Sequence, residues 1–544
     1  MNRHSLLFSL LALAAIATPA QAQCPANPLS AMLRFPTWTF NIQGIPTDGG
    51  RFGDLNRYAI AGQFTPSIGT DRGGNPIGVL TINATSVIDG STTRLENDLG
   101  RYQINADCTG GTLIMNLSSY PMQYDFWFTA DGIYIVSILE GRPATGSATL
   151  GLNFCPAGVN PLSLLSGPYA LKLQYIGVIF ANTVTPTHGM AGRFVPSIGT
   201  DRAGNPVGLL AITATSNFTI AHSVTRQESD AGGYQINGDC SGGTLTFNLS
   251  SRPLRYQFYF RLGPGGLGLD IINTSDVAIY GTADVAVTAA CPVNPLTSLA
   301  GPWAFNVQTI GRVDNDANWA AAGRFVASSG TDRGFLNINA TSLFTDPDGR
   351  SQSVTRLEND FGGFQINSDC TGGTLIMNLS SFPMQYDFWF YNNNRSIYFV
   401  SITPGRGATG SATLAPAGCP VGTNPLSLVS GAYAFKFQRV PNFIREPFGI
   451  AGAINASLST DRGGNPLGLL GIVASSSLGQ GSITRQESDA GRFQVNDDCS
   501  GGTLIMNLSS RPIQYQFYFR SGFREMDVIS ISQSSPAAFG VVSR

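Results

Sequence analysis

What this chain lacks narrows its chemistry first. Among 544 residues it has two lysines, Lys172 and Lys436, and three histidines; charged residues make up 12%, for a formal net charge of −2. Neutralising a phosphate backbone needs clustered Lys and Arg, whereas here scattered arginines carry almost all the positive charge, so no nucleic-acid partner is expected. Past the N-terminal segment only His188 and His222 remain, close together in the sequence. A Ser-His-Asp or Cys-His relay would therefore have to exist in one part of the chain alone. No two cysteines stand as C-x-x-C, which removes the usual zinc arrangement, and no metal or cofactor is expected.

Long apolar runs are missing too, with one exception. "MNRHSLLFSLLALAAIATPAQAQ" has a basic start at Arg3, an apolar run from Leu6 to Ile16, and Ala20-Gln21-Ala22. This pattern is a secretory signal over residues 1–22 with cleavage after Ala22. The run is too short for a permanent bilayer span, and no later segment reads as a transmembrane helix. Cys24 would lie one residue past the new N-terminus. Gln23 occupies the place where lipid attachment wants a small residue, so a lipoprotein is the lesser reading. The expected location is secreted, periplasmic or cell-surface.

What is present is repetition. Four units recur about every 130 residues. Each opens on Cys-Pro and an Asn-Pro-Leu segment, as in "CPANPLS" at Cys24, "CPAGVNPLSLLSG" at Cys155, "CPVNPLTSLAG" at Cys291 and "CPVGTNPLSLVSG" at Cys419. A "TDR" turn, a "TR[LQ]E[NS]D" segment and a "DC[TS]GGTL" segment follow, then an aromatic run. Units one and three share "TRLEND" and "MQYDFWF"; units two and four share "TRQESD" and "SSRP". The order is therefore A-B-A-B. Propeller blades and solenoid repeats are roughly 20 to 50 residues long, so this period is the size of a whole small domain. The boundaries read as 23–152, 153–289, 290–416 and 417–544, four beads on a string with a core in each.

Within a bead, period-two alternation dominates, which is the strand signal. Leu113, Met115 and Leu117 share one face; Met122, Tyr124, Phe126 and Phe128 share another, opposite Gln123, Asp125 and Trp127. Trp38, Phe40 and Ile42 do the same near the unit's start. Eight or nine strands per unit, joined by hairpin-length connections, are most economically arranged as a closed antiparallel up-and-down barrel, which removes exposed edges. A two-sheet sandwich is the alternative. The fold class expected is all-β, with four tandem barrels. Only the Asn-Pro-Leu segment is short-helical in character. "TDRGGNPIGVLTIN" at Thr70 shrinks to "TDRGFLNIN" at Thr331, which places the loss at an exposed hairpin tip.

Gly301-Pro302-Trp303, after a short helical turn and at the start of the first strand, resembles the G-x-W opening of lipocalins and related calycin barrels, a pattern shared with avidin-like barrels. Units two and four carry Gly167-Pro168-Tyr169 and Gly431-Ala432-Tyr433, while unit one has Pro36 in the glycine position before Trp38. The resemblance implies a barrel whose interior could hold an apolar ligand. The large inward aromatics favour a filled interior over a pocket, since an eight-stranded barrel is just wide enough for either.

The eight cysteines fall two per unit: Cys24 and Cys108, Cys155 and Cys240, Cys291 and Cys370, Cys419 and Cys499. In an exported chain this reads as one disulfide per unit. Pairing each second cysteine with the next unit's first would strand Cys24 and Cys499. A bridge closing a loop of about 80 residues contributes up to about 4.5 kcal/mol in the chain-entropy model. In this reading Gly110-Gly111 makes the turn after Cys108, where positive φ is easy without a Cβ.

The sharpest polar constellation is the TR-x-E-x-D segment. Arg94, Glu96 and Asp98 stand at i, i+2 and i+4, as do Arg226, Glu228, Asp230; Arg356, Glu358, Asp360; and Arg485, Glu487, Asp489, so on a regular strand each set shares one face. Such residues suit polar ligand contacts. Two carboxylates on a face could also act as a glycosidase-like pair, although two ligands per unit fall short of a Ca²⁺ site. A solvated charge ladder explains the same pattern. Asp71-Arg72, Asp201-Arg202, Asp332-Arg333 and Asp461-Arg462 read as Asx-type turns with exposed arginines. Sequons such as those at Asn83 and Asn116 sit within expected strands. No catalytic residue is assigned. The expected function is a non-enzymatic exported binding or spacer module acting on a surface or polymer. A carrier of small apolar ligands and a hydrolase using the Glu/Asp ladder are the alternatives.

Overall fold

The structure is a computed structural model of the chain. It describes residues 24–544 apart from 45–57, 89–90, 118–119, 140–143, 153–154, 176–187, 219–222, 250–251, 264–265, 275–278, 287–289, 310–317, 346–351, 380–381, 404–405, 440–447, 479–482, 509–510 and 533–537. The secretory signal read at residues 1–22 lies outside the described residues. Among the described residues no helix is long and apolar enough to cross a membrane.

In the first unit the strands are β1 (Trp38–Gly44), β2 (Tyr58–Thr70), β3 (Pro76–Ile88), β4 (Ser91–Ile104), β5 (Gly110–Leu117), β6 (Tyr120–Phe128), β7 (Gly132–Ser137) and β8 (Ala144–Leu150). Each pairs with its sequence neighbour, and β1 pairs with β8 as well as β2, so the meander closes into an eight-stranded antiparallel barrel. Three more barrels of the same order span residues 169–285, 301–414 and 431–543. The alternation explains the interiors. Trp38, Phe40, Phe64, Leu80, Leu113, Tyr124 and Phe126 have no exposed surface and fill the first barrel, and equivalent aromatics fill the others. The barrel implied by the calycin resemblance is therefore present.

One end of each barrel is closed by the Asn-Pro-Leu segment, a short 3₁₀ helix at Pro28–Arg34, Pro161–Leu164, Pro295–Leu299 and Pro425–Leu428. The sequence builds it locally: Asn27 Oδ1 accepts the Leu29 N–H at 3.1 Å, and proline stands at the first helical position, where its missing N–H costs nothing. The Trp38 and Trp303 indoles reach up to donate to Met32 O at 3.0 Å and Leu299 O at 2.8 Å.

The disulfides pair Cys24–Cys108, Cys155–Cys240, Cys291–Cys370 and Cys419–Cys499, each within its own barrel. The turn that anchors them is not the one expected from the glycines. The left-handed residue is the cysteine itself, with φ of 54° at Cys108, 57° at Cys240 and 53° at Cys370 and Cys499, inside a turn closed by Cys108 N–H on Asn105 O at 2.9 Å. Gly110 and Gly111 instead begin β5 with ordinary φ. A Cβ on Gly110 would lie 2.0 Å from Phe126 O and one on Gly111 1.9 Å from Gln103 O, so these glycines permit close strand approach rather than positive φ.

The barrels are not beads on a string. Strands one to three of each barrel pack on strands six to eight of the next, one onto two, two onto three, three onto four, and four back onto one. The four contacts make a closed ring. Each joint sets small residues on one barrel against aromatics on the other: Ala59, Ala61 and Val87 against Tyr259 and Ile272; Ala170 and Ala191 against Trp389 and Tyr398; Ala320 and Ala322 against Tyr518; Ala434 and Ala451 against Trp127 and Val136. A buried hydrogen bond crosses each joint. Thr85 and Tyr259, and Thr341 and Tyr518, meet hydroxyl to hydroxyl at 2.9 and 3.0 Å; Thr215 and Ser475 donate to Asp387 and Asp125 at 2.7 and 2.6 Å. This is why Asp125 and Trp127, expected on an open outer face, are buried at 6% and 4% exposure.

All four barrels run the same way along the ring axis. Asn41 Nδ2 donates to Asp270, whose strand neighbour Thr282 pairs with Lys172. Two residues further on, Tyr280 links Gln43 to Gln174. Asn306 meets Asp527 in the same manner at 2.7 Å, and Gln308 donates to Gln174 at 3.0 Å. First strands that meet in matching order at two successive levels must point in one direction, which puts the four disulfide-bearing ends on one face of the ring.

Candidate functional site

The TR-x-E-x-D segments lie on the fourth strand of each barrel, and there the expected single face fails. Ile82 pairs with Asp98 but Ala84 with Leu95; Ile338 pairs with Asp360 but Ala340 with Leu357. In the other two units Ala214 pairs with Glu228 but Ser216 with Thr225, and Ala474 with Glu487 but Ser476 with Thr484. Each fourth strand carries one extra residue, a β-bulge, so the spacing i, i+2, i+4 is interrupted in every unit. The bulge falls between Leu and Asp in units one and three, and between Thr and Glu in units two and four. The side chains of Arg94, Glu96, Arg226, Glu228, Asp230, Arg356, Glu358, Arg485, Glu487 and Asp489 lie outside the described residues, as do those of His188 and His222. Of the two acids that are described, Asp98 accepts the Leu99 N–H at 2.8 Å and Asp360 the Phe361 N–H at 2.7 Å, each holding its own backbone just past the bulge.

The disulfide end of the ring carries a second repeated polar feature. In barrel one Trp38, near the closed end, pairs with Phe64, and β2 runs on past it to Thr70 before turning into β3. The β2–β3 hairpin therefore projects beyond the barrel on the disulfide side, and its counterparts do the same. Their tips are the Asp-Arg turns. Asp71 Oδ1 accepts the Gly73 and Asn75 N–H groups at 2.8 Å, and Asn75 Nδ2 adds a bond to Oδ2 at 3.0 Å. Asp201 and Asp461 repeat the arrangement with Ala203 and Asn205, and with Gly463 and Asn465. The asparagine side chain, then the backbone donors, hold all three carboxyls below the ordinary carboxylate range. Asp332 departs from the expected Asx turn: the shorter third hairpin closes with Gly330 N–H on Arg333 O at 3.0 Å, and the Arg333 guanidinium lies over Phe335.

Arg72, Arg202, Arg333 and Arg462 are all exposed at these tips. Large apolar side chains stand open along the same hairpins, with Ile68, Ile198, Leu209 and Leu458 exposed and Phe335 half-exposed at 50%. An exposed apolar group beside a fixed polar tip, repeated around one face, is the composition of a contact surface.

No protein-family model and no curated protein matches the chain. Among solved structures it is similar to transferrin binding protein B of Neisseria meningitidis at 8% identity, covering 93% of this chain and 99% of that one with a TM-score of 0.17. It is also similar to transferrin binding protein B of Haemophilus parasuis, at 9% identity with 88% and 93% covered and a TM-score of 0.18. A protein of unknown function from Nostoc punctiforme aligns at 11% identity over 46% of this chain and 97% of that one, with a TM-score of 0.13. Likenesses with scores this low carry no argument, and the fold rests on the strand pairing itself.

Proposed function

We propose that the protein is a non-enzymatic, exported binding module whose contact surface is the ring face that bears the disulfides and the four hairpin tips. The observation that carries this is the repetition of exposed Asp-Arg tips, flanked by open apolar side chains, at one end of four barrels that run the same way. Four similar contacts held on one body multiply a modest single-site affinity, which suits a repetitive surface or polymer better than a single small molecule. Two further observations support the reading over its alternatives. Among the described residues, aromatic side chains fill the barrel interiors, which weighs against the apolar-carrier reading. In units one and three the bulge separates the two carboxylates on which the hydrolase reading depends, whereas in units two and four Glu228 with Asp230 and Glu487 with Asp489 keep regular register, so the pair is not repeated in all four units. The cystines fit a chain that matures in an oxidising compartment, in keeping with the secretory signal read at residues 1–22.

The test is retention of the purified mature protein on washed peptidoglycan, chitin and cellulose. The wild type is compared with single variants at Arg72, Arg202, Arg333 and Arg462 (each →Ser) and with all four combined. The expected pattern is slight weakening for single changes and a loss of about a hundredfold for the four together, the lower end of multivalent gains. Wild-type protein that stays on none of these matrices, or a fourfold variant that stays as well as wild type, sinks the reading.

A further inference from the structure

The two lysines of the chain line one cavity at the centre of the ring. Lys172 and Lys436 sit on the first strands of barrels two and four, which face each other across the axis, at the position that Asn41 and Asn306 hold in barrels one and three. All four line a central cavity of about 230 Å³ to which every barrel contributes, and whose lining includes both lysines but no acidic residue. Gln43, Gln174, Gln308 and Gln438 form the adjoining tier. They are joined through Tyr280, by Gln308 to Gln174 at 3.0 Å and Gln438 to Gln308 at 3.5 Å, and by Thr145 to Gln438 at 3.2 Å.

The way the joints alternate leaves neither lysine a carboxylate at salt-bridge distance among the described residues. Where an A barrel packs on a B barrel, asparagine meets an acid: Asn41 on Asp270, Asn306 on Asp527. Where a B barrel packs on an A barrel, lysine takes the asparagine position and tyrosine takes the acid's. The Lys172 ammonium lies 5.3 Å from the Tyr398 ring centre, and the Lys436 ammonium 5.6 Å from that of Tyr134. The nearby acids lie two to an arginine, Asp270 at 3.4 Å and Asp284 at 2.6 Å on Arg261, Asp527 at 2.6 Å and Glu525 at 3.7 Å on Arg520, so their remaining charge reaches the lysines only at a distance. Tyr398 also bonds to Asp284. Among the described residues no carboxylate makes a salt bridge to either lysine. A cation held away from bulk water is stabilised most by an anion in direct contact, and amide and hydroxyl groups around the cavity offer further hydrogen-bond donors that an anion's oxygens use.

We propose that this cavity is a binding site for a small dianion with oxygen at both ends or all around, that is, an inorganic sulfate or phosphate or a short dicarboxylate, held between Lys172 and Lys436. Two cations facing each other across a two-fold-like axis match a ligand with charge on both sides. Asn41, Asn306 and the glutamine tier orient it. The site is separate from the hairpin-tip face, so either proposal can fail alone.

Burial holds both ammonium groups down, at about 8, with Arg520 lowering Lys172 further and Asp284 and Asp527, or Asp270 for Lys436, opposing it. A bound dianion would reverse that depression, which provides a direct readout. With lysine labelled at ¹³Cε, the mature cystine-intact protein gives two lysine signals. Each is titrated with pH in sulfate, phosphate, malonate and succinate, and in chloride at equal ionic strength. The expected result is saturable movement of both signals with one anion per chain, and titration midpoints raised by about one unit or more relative to chloride, a tenfold change in proton affinity. In calorimetry, Lys172→Met with Lys436→Met lowers affinity for the same anion at least tenfold, and the arms that bind decide between inorganic and carboxylate ligands. Signals that drift linearly without saturation in every anion, or binding heat unchanged in the double variant, overturn the proposal; the wild-type titration decides even where the variant fails to fold.

Discussion

Replacing both central lysines by methionine is expected to stabilise the protein, which is the opposite of what most buried substitutions do. In the folded chain both ammonium groups are depressed from the ordinary lysine value to about 8, with desolvation the leading cause. One pH unit of depression corresponds to about 1.4 kcal/mol, so keeping each lysine charged at pH 7 costs on the order of 3 kcal/mol. Methionine is nearly the same length and keeps the contact with Tyr398 or Tyr134, while losing a cation–π attraction of about 0.5–1 kcal/mol. The net expectation is a gain of about 2 kcal/mol per site in an anion-free buffer. The sign follows from linkage. A lysine whose folded value lies below its unfolded one penalises folding fully below pH 8, and the penalty fades as pH rises from 8 toward 10.5. Wild-type stability should therefore rise between pH 7 and 9.5, and the double variant should lack that rise. The tyrosines with raised values, Tyr134 and Tyr398 among them, weaken the fold only above about pH 10, outside this window. Urea midpoints at pH 7 and 9.5, in chloride and with disulfides intact, measure both effects. A double variant less stable than wild type at both pH values, or a flat wild-type profile, would refute the account of the lysines as charges penalised by desolvation.

Three further outcomes are expected. Cys24→Ser with Cys108→Ser opens a loop with sequence separation 84 and should lower barrel-one stability by up to about 4.5 kcal/mol, read as a lower urea midpoint. Trp127→Ala removes the aromatic that barrel one sets against Ala434 and Ala451; a loss of about 3–4 kcal/mol is expected at the joint between barrels four and one. Scattering should then show an opened ring while the barrels' own circular dichroism persists; a variant that stays closed and equally stable would mean the joint contributes little. Gly111→Ala places a Cβ 1.9 Å from Gln103 O, and should prevent β4 and β5 from pairing, seen as poor recovery of folded protein, whereas Gly74→Asn at an open tip with φ of +80° should be tolerated.

The Asn-Pro-Leu helices and the inward aromatics were legible because they depend on residues close in sequence or on a two-residue period, and the cystine pairing because each repeat carries two cysteines and no more. Other features were not. The bulge in the fourth strand leaves no mark in "TRLEND", since one extra residue looks the same as a longer regular strand until its partner is known. The glycines of "GGTL" read as turn formers, yet their need comes from carbonyls on two other strands, at Gln103 and Phe126. One signal of the ring was available: Tyr58-Ala59-Ile60-Ala61-Gly62 has no polar residue on either face, the mark of a strand buried on both sides.

By itself the sequence determined what each repeat does with its own chain. Alternation sends one face inward, and paired cysteines tie the start of a unit to its middle, because a unit of this size must bury its apolar face within itself. Only the tertiary structure decided where the outward faces go. Alanine opposite tyrosine or tryptophan, and asparagine opposite aspartate, are matched across units whose relative placement no local period encodes. That Lys172 and Lys436 line one cavity depends wholly on that placement, since two residues on separate barrels come to border one cavity only when four joints close together.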